Sequence, residues 1–484
     1  MRQSSSCVRV MRGAVSLAVL LAAPGLTAPI LTAPLHAQAV DPTAQLLSEL
    51  IRINTSNPPG RTQELAELLA PRFRAAGFTV EIIPTPDSAK VHFIARLKGD
   101  GSRKPILLAA HSDVVGVERE KWSMDPFAGI IRDGHVYGRG AIDFKGGLAV
   151  FAMAALRLGE RKVPLSRDVI FMAEADEEGA PMNTSWLAKD HWASMDAEFA
   201  LNEGGWVIKN DDGRVRYVSI STADKSVIGI TLTAKGTSTH SSMPLPDNAI
   251  ASLGAAIGRI AAYESPVQLT AESRQFFRTL GATSTGEESR LFRQLVDGTP
   301  AEVMAADTVI SRDPLLHAIM RNTIAPVLIS GGFRSNVIPG SAEATLNLRV
   351  IPGTTSESMV ALITGLVNDP RITVKSVGSS GPAGAPSSVA TELYQALARE
   401  SKAQWPTAEV TPYLFQAGTD AYAWRSRGIP VYGIYPYPIT NDELRRMHGN
   451  DERVSVEGLQ QGTEMIYRTL TSVAGKPSRR VSKK

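Results

Sequence analysis

Apolar residues recur at helical spacing at Leu46, Leu47, Leu50 and Ile51, which predicts a helix over 43–53. It stops at Asn54-Thr55-Ser56-Asn57-Pro58-Pro59-Gly60, a loop by composition. A second amphipathic helix is predicted over 64–76, with Gly77 suited to its C-cap. Strand-like runs follow at 78–83, 91–97, 105–110 and 169–172. The last two are continuous apolar runs of the kind buried on both faces of a sheet. A long apolar helix over 146–158 separates them, and 197–201 reads as a further short strand. Strands that alternate with helices in this way predict an α/β fold.

The middle of the chain changes pattern. Residues 227–234 alternate apolar and polar like a half-exposed antiparallel strand, and a helix is predicted over 248–263. The polar helical stretch 265–325 carries no recognisable chemistry, and strands are predicted at 325–330, 342–351 and 372–377. Strand, helix and further strands without regular alternation predict a separate α+β domain inserted into the first. After the linker-like Gly378-Ser379-Ser380-Gly381-Pro382, alternation resumes with a helix over 391–398 and a buried strand over 430–435. The predicted division is a discontinuous first domain, 40–222 with 381–475, and an inserted domain, 223–380, with a basic tail over 476–484.

The N-terminus has a different character. Arg2, Arg9 and Arg12 precede an apolar run over 14–23, and Ala37-Gln38-Ala39 closes the segment. This is the layout of a secretory signal peptide over residues 1–39, cleaved near Val40, and it predicts a secreted or periplasmic protein. The apolar run is too short for a stable membrane anchor. Cys7 is the only cysteine of the 484 residues, so the chain after cleavage forms no disulfide. Without the first 39 residues, basic and acidic side chains number 48 each, and five of the bases lie in the tail. The body is therefore mildly acidic, which excludes a nucleic-acid surface built on a basic patch.

Candidate chemistry gathers where strands end. The run 169–172 leads into Asp176, Glu177 and Glu178, the run 105–110 into His111 and Asp113, and the run 197–201 into Glu203. C-terminal strand ends are where open α/β sheets keep their active sites. Neighbouring residues that leave a strand point to opposite sides, so one acid could hold a metal while its neighbour handles a proton. Asp143 stands at a predicted helix start and His448 in a late loop. Individually these residues read as a solvated acidic turn, a structural histidine and an N-cap aspartate. Jointly, so many ligand-type residues at the ends of alternating elements are hard to explain as caps.

Nine segments carry a family resemblance: AAHSDVV, YGRGAIDFKGG, AEADEEG, LNEGG, THSSMP, SNVIPG, LRVIPG, GTDA and MHGNDERV. In this order they resemble the dinuclear zinc aminoacylase, carboxypeptidase and dipeptidase metallopeptidases, which include acetylornithine deacetylase, glutamate carboxypeptidase and carboxypeptidase S. The resemblance covers roughly residues 42–472, and the LNEGG form looks most like the carboxypeptidase S and N-acyl-amino-acid hydrolase branch. It implies a zinc-peptidase-like catalytic domain with a central mixed sheet flanked by helices, and an inserted α+β lid and dimerisation domain. It also implies two zinc ions per chain, for which Co2+ or Mn2+ can substitute. His111, Glu203 and Asp143 would hold one and Asp143, Glu178 and His448 the other; other pairings of the glutamates and histidines stay open, but Asp143 is the bridge. Glu177 would be the general base and Asp113 would orient the ring of His111. The family also tends to carry a cis peptide after the bridging aspartate, here Asp143-Phe144. His240 matches a histidine that reaches an active site, often the partner subunit's, to stabilise an oxyanion. Asn336 and Arg349 match residues that hold the substrate carboxylate, and Gly418 a turn behind it.

Two positions depart from the pattern. Thr239 replaces a glycine before His240, and Tyr422 stands where the family often has arginine, which removes one substrate contact. The implied activity is hydrolysis of an amide bond next to a free carboxylate, in a small peptide or an N-acyl amino acid, by a homodimer. A non-catalytic zinc-binding homologue is the competing class. The presence of Glu177 argues against it, because a protein that only binds needs no second acid beside the ligand.

Overall fold

The computed structural model describes residues 40–179, 181–379 and 384–476. The segment 1–39, with its predicted signal peptide, and the tail beyond Lys476 lie outside the described residues. In chain order the main strands are β1 (Thr79–Pro84), β2 (Val91–Leu97), β3 (Ile106–His111), β4 (Val169–Glu174), β5 (Phe199–Lys209), β6 (Val215–Asp224), β7 (Ser226–Lys235), β8 (Thr323–Gly331), β9 (Ser341–Val350), β10 (Ile372–Ser379), β11 (Glu409–Phe415) and β12 (Val431–Ile439).

Eight of them form one mixed sheet in the order β11-β6-β12-β5-β3-β4-β2-β1. Its centre, β12, β5, β3 and β4, is parallel throughout. Every residue of β3, β4 and β12 is buried. The period of two sends Val169, Phe171 and Ala173 to one face and Ile170 and Met172 to the other. Helices cover the first face, including Pro42–Arg52, Lys145–Glu160 and Val456–Ala474. The second is closed by Leu187, Met195 and Trp424. This two-sided burial is why these strands read as unbroken apolar runs.

A four-stranded antiparallel sheet follows the order β8-β9-β7-β10. One face packs Ile230, Leu232, Leu346 and Leu348 against the helices Ala249–Ala261 and Ser356–Val367. Only Lys225 separates β6 of the large sheet from β7 of the small one. The helices between 271 and 318 belong by packing to the larger sheet, although they fall inside 223–380. Phe276 meets Tyr217 of β6 edge-on at 5.3 Å and Tyr413 of β11 at 5.1 Å.

The sequence reading ends the fifth strand at Leu201, but β5 runs on to Lys209. Gly433 permits this, because a Cβ there would lie 2.1 Å from the carbonyl oxygen of Glu203. The register between β5 and β12 shifts at the same point.

Candidate metal centre

The four parallel strands bring their C-terminal ends to one edge of the sheet. His111 is the last residue of β3, and Glu203 lies inside β5 where the register shifts. β4 stops at Glu174, so the acids that follow do not alternate off a strand as the sequence reading expects. They lie in a turn, and Asp113 sets its shape. The Asp113 carboxylate accepts the amides of Glu177 at 3.3 Å and Glu178 at 3.1 Å, together with the side-chain amide of Asn57 at 2.8 Å. Asp176 anchors the turn from below. It accepts from Asn57 at 2.6 Å, pairs with buried Lys90 at 2.5 Å and accepts the amide of Met182 at 2.7 Å.

Asp143 sits between the two histidines. His111 Nε2 lies 3.2 Å from its Oδ1, and His448 Nε2 lies 3.1 Å from its Oδ2. His111 Nε2 is also 3.6 Å from Glu203, and His448 Nε2 is 3.1 Å from Glu178. Ligand atoms of His111, Asp143 and Glu203 fall within 4.8 Å of one another, as do those of Asp143, Glu178 and His448. Asp143 is common to both groups. The other ring nitrogen of His111, Nδ1, lies 3.0 Å from the main-chain oxygen of Asp113 and 3.5 Å from its carboxylate. A proton on Nδ1 donated to that carbonyl leaves Nε2 as the lone-pair nitrogen facing the carboxylates. The Asp143–Phe144 peptide bond is cis.

The electrostatics follow from crowding. Burial, then the charge of Glu203, pushes the carboxyl of Glu177 well above the usual carboxylate range. Burial also raises Glu203, to about 7, although His111 opposes it. Burial works against ionisation of Asp143, but hydrogen bonds and charge from His111 and His448 outweigh it and hold the carboxyl low. His448 is raised to about 10, because Asp143 and Glu178 overcome the burial that would lower it. Four carboxylates compete for two imidazoles, so the cluster is short of positive charge. Imidazole nitrogens and carboxylate oxygens in two groups that share one aspartate are a donor set that suits a pair of divalent cations.

Beside Glu177 and Glu178 opens a cavity of about 680 Å³, lined also by Arg349, Gly418, Thr419 and Tyr422. Arg349 and Gly418 are neighbours there, since a Cβ on the glycine would lie 4.0 Å from Arg349 Nη1. His240 and Asn336 do not line this cavity. His240 lies in a small two-stranded ribbon, paired with Val337, and Asn336 in the turn just before that partner strand; His240 Nδ1 lies 2.8 Å from the Ser242 hydroxyl.

The sequence reading misses three supports. Tyr435, on β12, places its hydroxyl 2.9 Å from both Asp143 Oδ1 and Glu203 Oε2, so its one proton is shared between the two carboxylates. Glu452 accepts the amides of Ile142 and Asp143, and its signal was its place in MHGNDERV, four residues after His448. Asn57, which joins Asp113 to Asp176, carried no signal beyond a loop composition.

The sequence profile of Peptidase family M20/M25/M40 matches residues 107–472. The chain is 28% identical over 378 residues to the probable carboxypeptidase S-like 2 of Dictyostelium discoideum, covering 77% of this chain and 72% of the relative. It is 27% identical over 395 residues to the human N-fatty-acyl-amino acid synthase/hydrolase PM20D1, covering 78% and 76%. Among solved structures, an M20 family metallo-carboxypeptidase from Sulfolobus solfataricus superposes with a TM-score of 0.66 at 17% identity, covering 89% of this chain and 98% of the other. Human carnosine dipeptidase 1 superposes with a TM-score of 0.65 at 19% identity, covering 89% and 95%.

Proposed function

The chain belongs to Peptidase family M20/M25/M40 and is a hydrolytic metallopeptidase or amidohydrolase, and on that premise we propose that it cleaves an amide bond next to a free carboxylate in a small peptide or N-acyl amino acid. The observation that carries this reading is the pair of ligand groups that share Asp143, with Glu177 beside them. His111, Asp143 and Glu203 would hold one zinc ion, and Asp143, Glu178 and His448 a second. Bound there, the metal pair lowers the pKa of water and polarises the amide carbonyl.

The chain's own residues divide the remaining work. Glu177 takes the proton of the attacking water and returns it to the departing amine. Burial, with the charge of Glu203 second, makes this carboxyl more basic than an ordinary glutamate, the direction that a general base needs. Arg349 holds the substrate carboxylate through its two-pronged guanidinium, and Gly418 leaves room beside it. Asp113 holds the turn that presents Glu177 and Glu178.

His240 and Asn336 act in the site of a second copy of the chain, with the four-stranded sheet as lid and dimer surface. Val327, Leu328 and Ile329 of its edge strand β8 support this, since they are 53%, 67% and 69% exposed. The proposed place of action is the periplasm or the exterior, from the N-terminal signal pattern.

Elemental analysis with a panel of dipeptides and N-acyl amino acids tests the reading. Close to two zinc ions per chain are expected. Glu177→Ala should keep the metal and lose turnover by about 10³-fold. A metal-free active protein, or normal turnover in that variant, would overturn it.

A further inference from the structure

Two buried acids meet where β4 ends, outside the two ligand groups. Glu174, the last residue of the strand, is fully buried, and Asp420, two residues after Gly418, is 4% exposed. Their carboxyl groups lie within hydrogen-bonding reach of each other. Glu174 Oε2 accepts the amide of Asp176 at 3.1 Å, and Asp420 Oδ1 accepts the hydroxyl of Thr184 at 2.5 Å. The remaining oxygens, Glu174 Oε1 and Asp420 Oδ2, have no donor. Among the described residues no lysine or arginine pairs with either acid, since Lys90 is committed to Asp176. His92 Nδ1 lies 3.8 Å from Glu174, but burial keeps that ring neutral. The charge of Asp113 also reaches Glu174 and adds to the repulsion. Two carboxylates this close inside a protein do not both ionise, and one neutral carboxyl supplies the donor that both bare oxygens lack.

We infer that Glu174 and Asp420 share one proton, and that this hydrogen bond clips the turn 418–420 to the strand that leads into Glu177. Both are positioning residues. The proton belongs on Glu174, whose Oε1 hydroxyl donates to Asp420 Oδ2. Burial, then the charge of Asp420, pushes the carboxyl of Glu174 well above the usual range. Burial raises Asp420 too, but Glu174, Thr184 and the charge of His111 favour its ionised form. The turn forms a wall of the smaller cavity, because Gly418, Thr419 and Asp420 line it together with Arg349 and Glu177. Thr419 pins the turn from the other side, with its hydroxyl 2.7 Å from Asp224. Glu174 Oε2 meanwhile holds the amide of Asp176, which anchors the turn of Glu177 and Glu178. One side chain therefore sets the separation between the base and the wall against which a substrate lies. The effect on turnover rests on the reading of the centre as an amide hydrolase; the shared proton does not.

The test compares Glu174→Gln and Glu174→Met with the parent in the metal-loaded full chain. The readouts are urea unfolding, kcat/KM on the best substrate of the dipeptide and N-acyl amino acid panel, and infrared difference spectra. Glutamine has the shape of the protonated acid, so its oxygen accepts from Asp176 and its amide group donates to Asp420. Methionine keeps the length and makes neither bond. Glu174→Gln should hold the parent's urea midpoint and stay within about threefold of its kcat/KM. Glu174→Met should lower the midpoint and cut kcat/KM about tenfold, with metal content at the parent level. The spectrum of the parent minus that of Glu174→Gln should contain the carbonyl band of a neutral carboxyl at neutral pH. Absence of that band, or a Glu174→Gln chain clearly more stable than the parent, would overturn the shared proton, because both acids would then be ionised and repelling. Glu174→Gln as damaged as Glu174→Met would overturn the clip. The expected midpoints with unchanged kcat/KM in Glu174→Met would overturn the positioning role. The expected band and midpoints in a chain that hydrolyses none of the panel would keep the acid pair and overturn the hydrolase reading.

Discussion

Glu452 accepts the backbone N–H of Asp143 at 3.0 Å, and with the same oxygen that of Ile142 at 2.7 Å. Its other oxygen takes the amide of Gly140 at 3.1 Å and Arg139 at 2.6 Å. A single buried carboxylate thus ties the segment that carries Asp143 to the loop that carries His448. Glu452→Gln keeps the shape but turns an amide group toward backbone donors and leaves Arg139 without its counter-charge. The expected loss is about 3 kcal/mol of unfolding free energy, read by urea titration. Metal affinity should fall between 10- and 100-fold, read by competition with a chelator.

Lys90 and Asp176 form the second support, a buried ion pair at 2.5 Å beneath the turn of Glu177 and Glu178. Lys90→Met removes one partner and strands the other. Unfolding free energy should drop by about 3 kcal/mol. Because Asp176 also shares Asn57 with Asp113, kcat should fall along with stability. A variant as stable and active as the parent would show that Asn57 and Met182 suffice to hold the turn.

The parallel centre of the sheet was legible because burial on both faces leaves unbroken apolar runs, and the cluster was legible because its residues stand where those runs end. The sequence reading assigns no strand to β6, and the reason is visible in its side chains. Ser219 and Ser221 are buried and hydrogen-bonded, Ser219 to the amide of Trp206 at 2.8 Å, so a core strand reads as polar. The helix Val456–Ala474 was hidden by its glycines. Gly462 packs so close to β12 that a Cβ would lie 1.8 Å from the Pro436 oxygen. The helices Ala271–Thr283 and Gly286–Asp297 each bury one apolar face, although the stretch as a whole reads as polar. An apolar face does not say which sheet covers it, and Phe276 chose the larger one.

His92 is buried and stacks on Trp186 at 5.8 Å, and burial pulls its imidazole down from 6.5 to about 4. The folded protein keeps this ring neutral while the unfolded chain protonates near 6.5. Its contribution is therefore complete above pH 6.5 and is lost as pH falls toward 4. The loss amounts to about 3 kcal/mol. His92→Phe retains the stacking and removes the titration, so denaturant midpoints measured from pH 7 to pH 4 should decline less steeply in the variant. Parallel declines would assign the acid sensitivity to other groups.

Leu328 lies on the outer edge of the four-stranded sheet, 67% exposed, with Ile329 at 69% and Phe333 at 77% close by. An unpaired strand edge bearing large apolar side chains offers both main-chain hydrogen bonds and a hydrophobic contact to a second copy. Leu328→Arg places a charge on that edge and should convert a dimer to a monomer in sedimentation equilibrium. The fold should be little affected, because the side chain touches solvent. If His240 completes the site of the other copy, kcat should fall about 100-fold in the monomer, while the metal content stays at the parent level. Mixing His240→Ala chains with Glu177→Ala chains separates the two effects. Each is inactive alone, but a mixed dimer joins an intact Glu177 to an intact His240 in one of its sites and gains activity. The same mixture with Leu328→Arg added to the Glu177→Ala chain gains nothing if the edge is the interface. A parent that is monomeric and fully active would remove the edge from the mechanism.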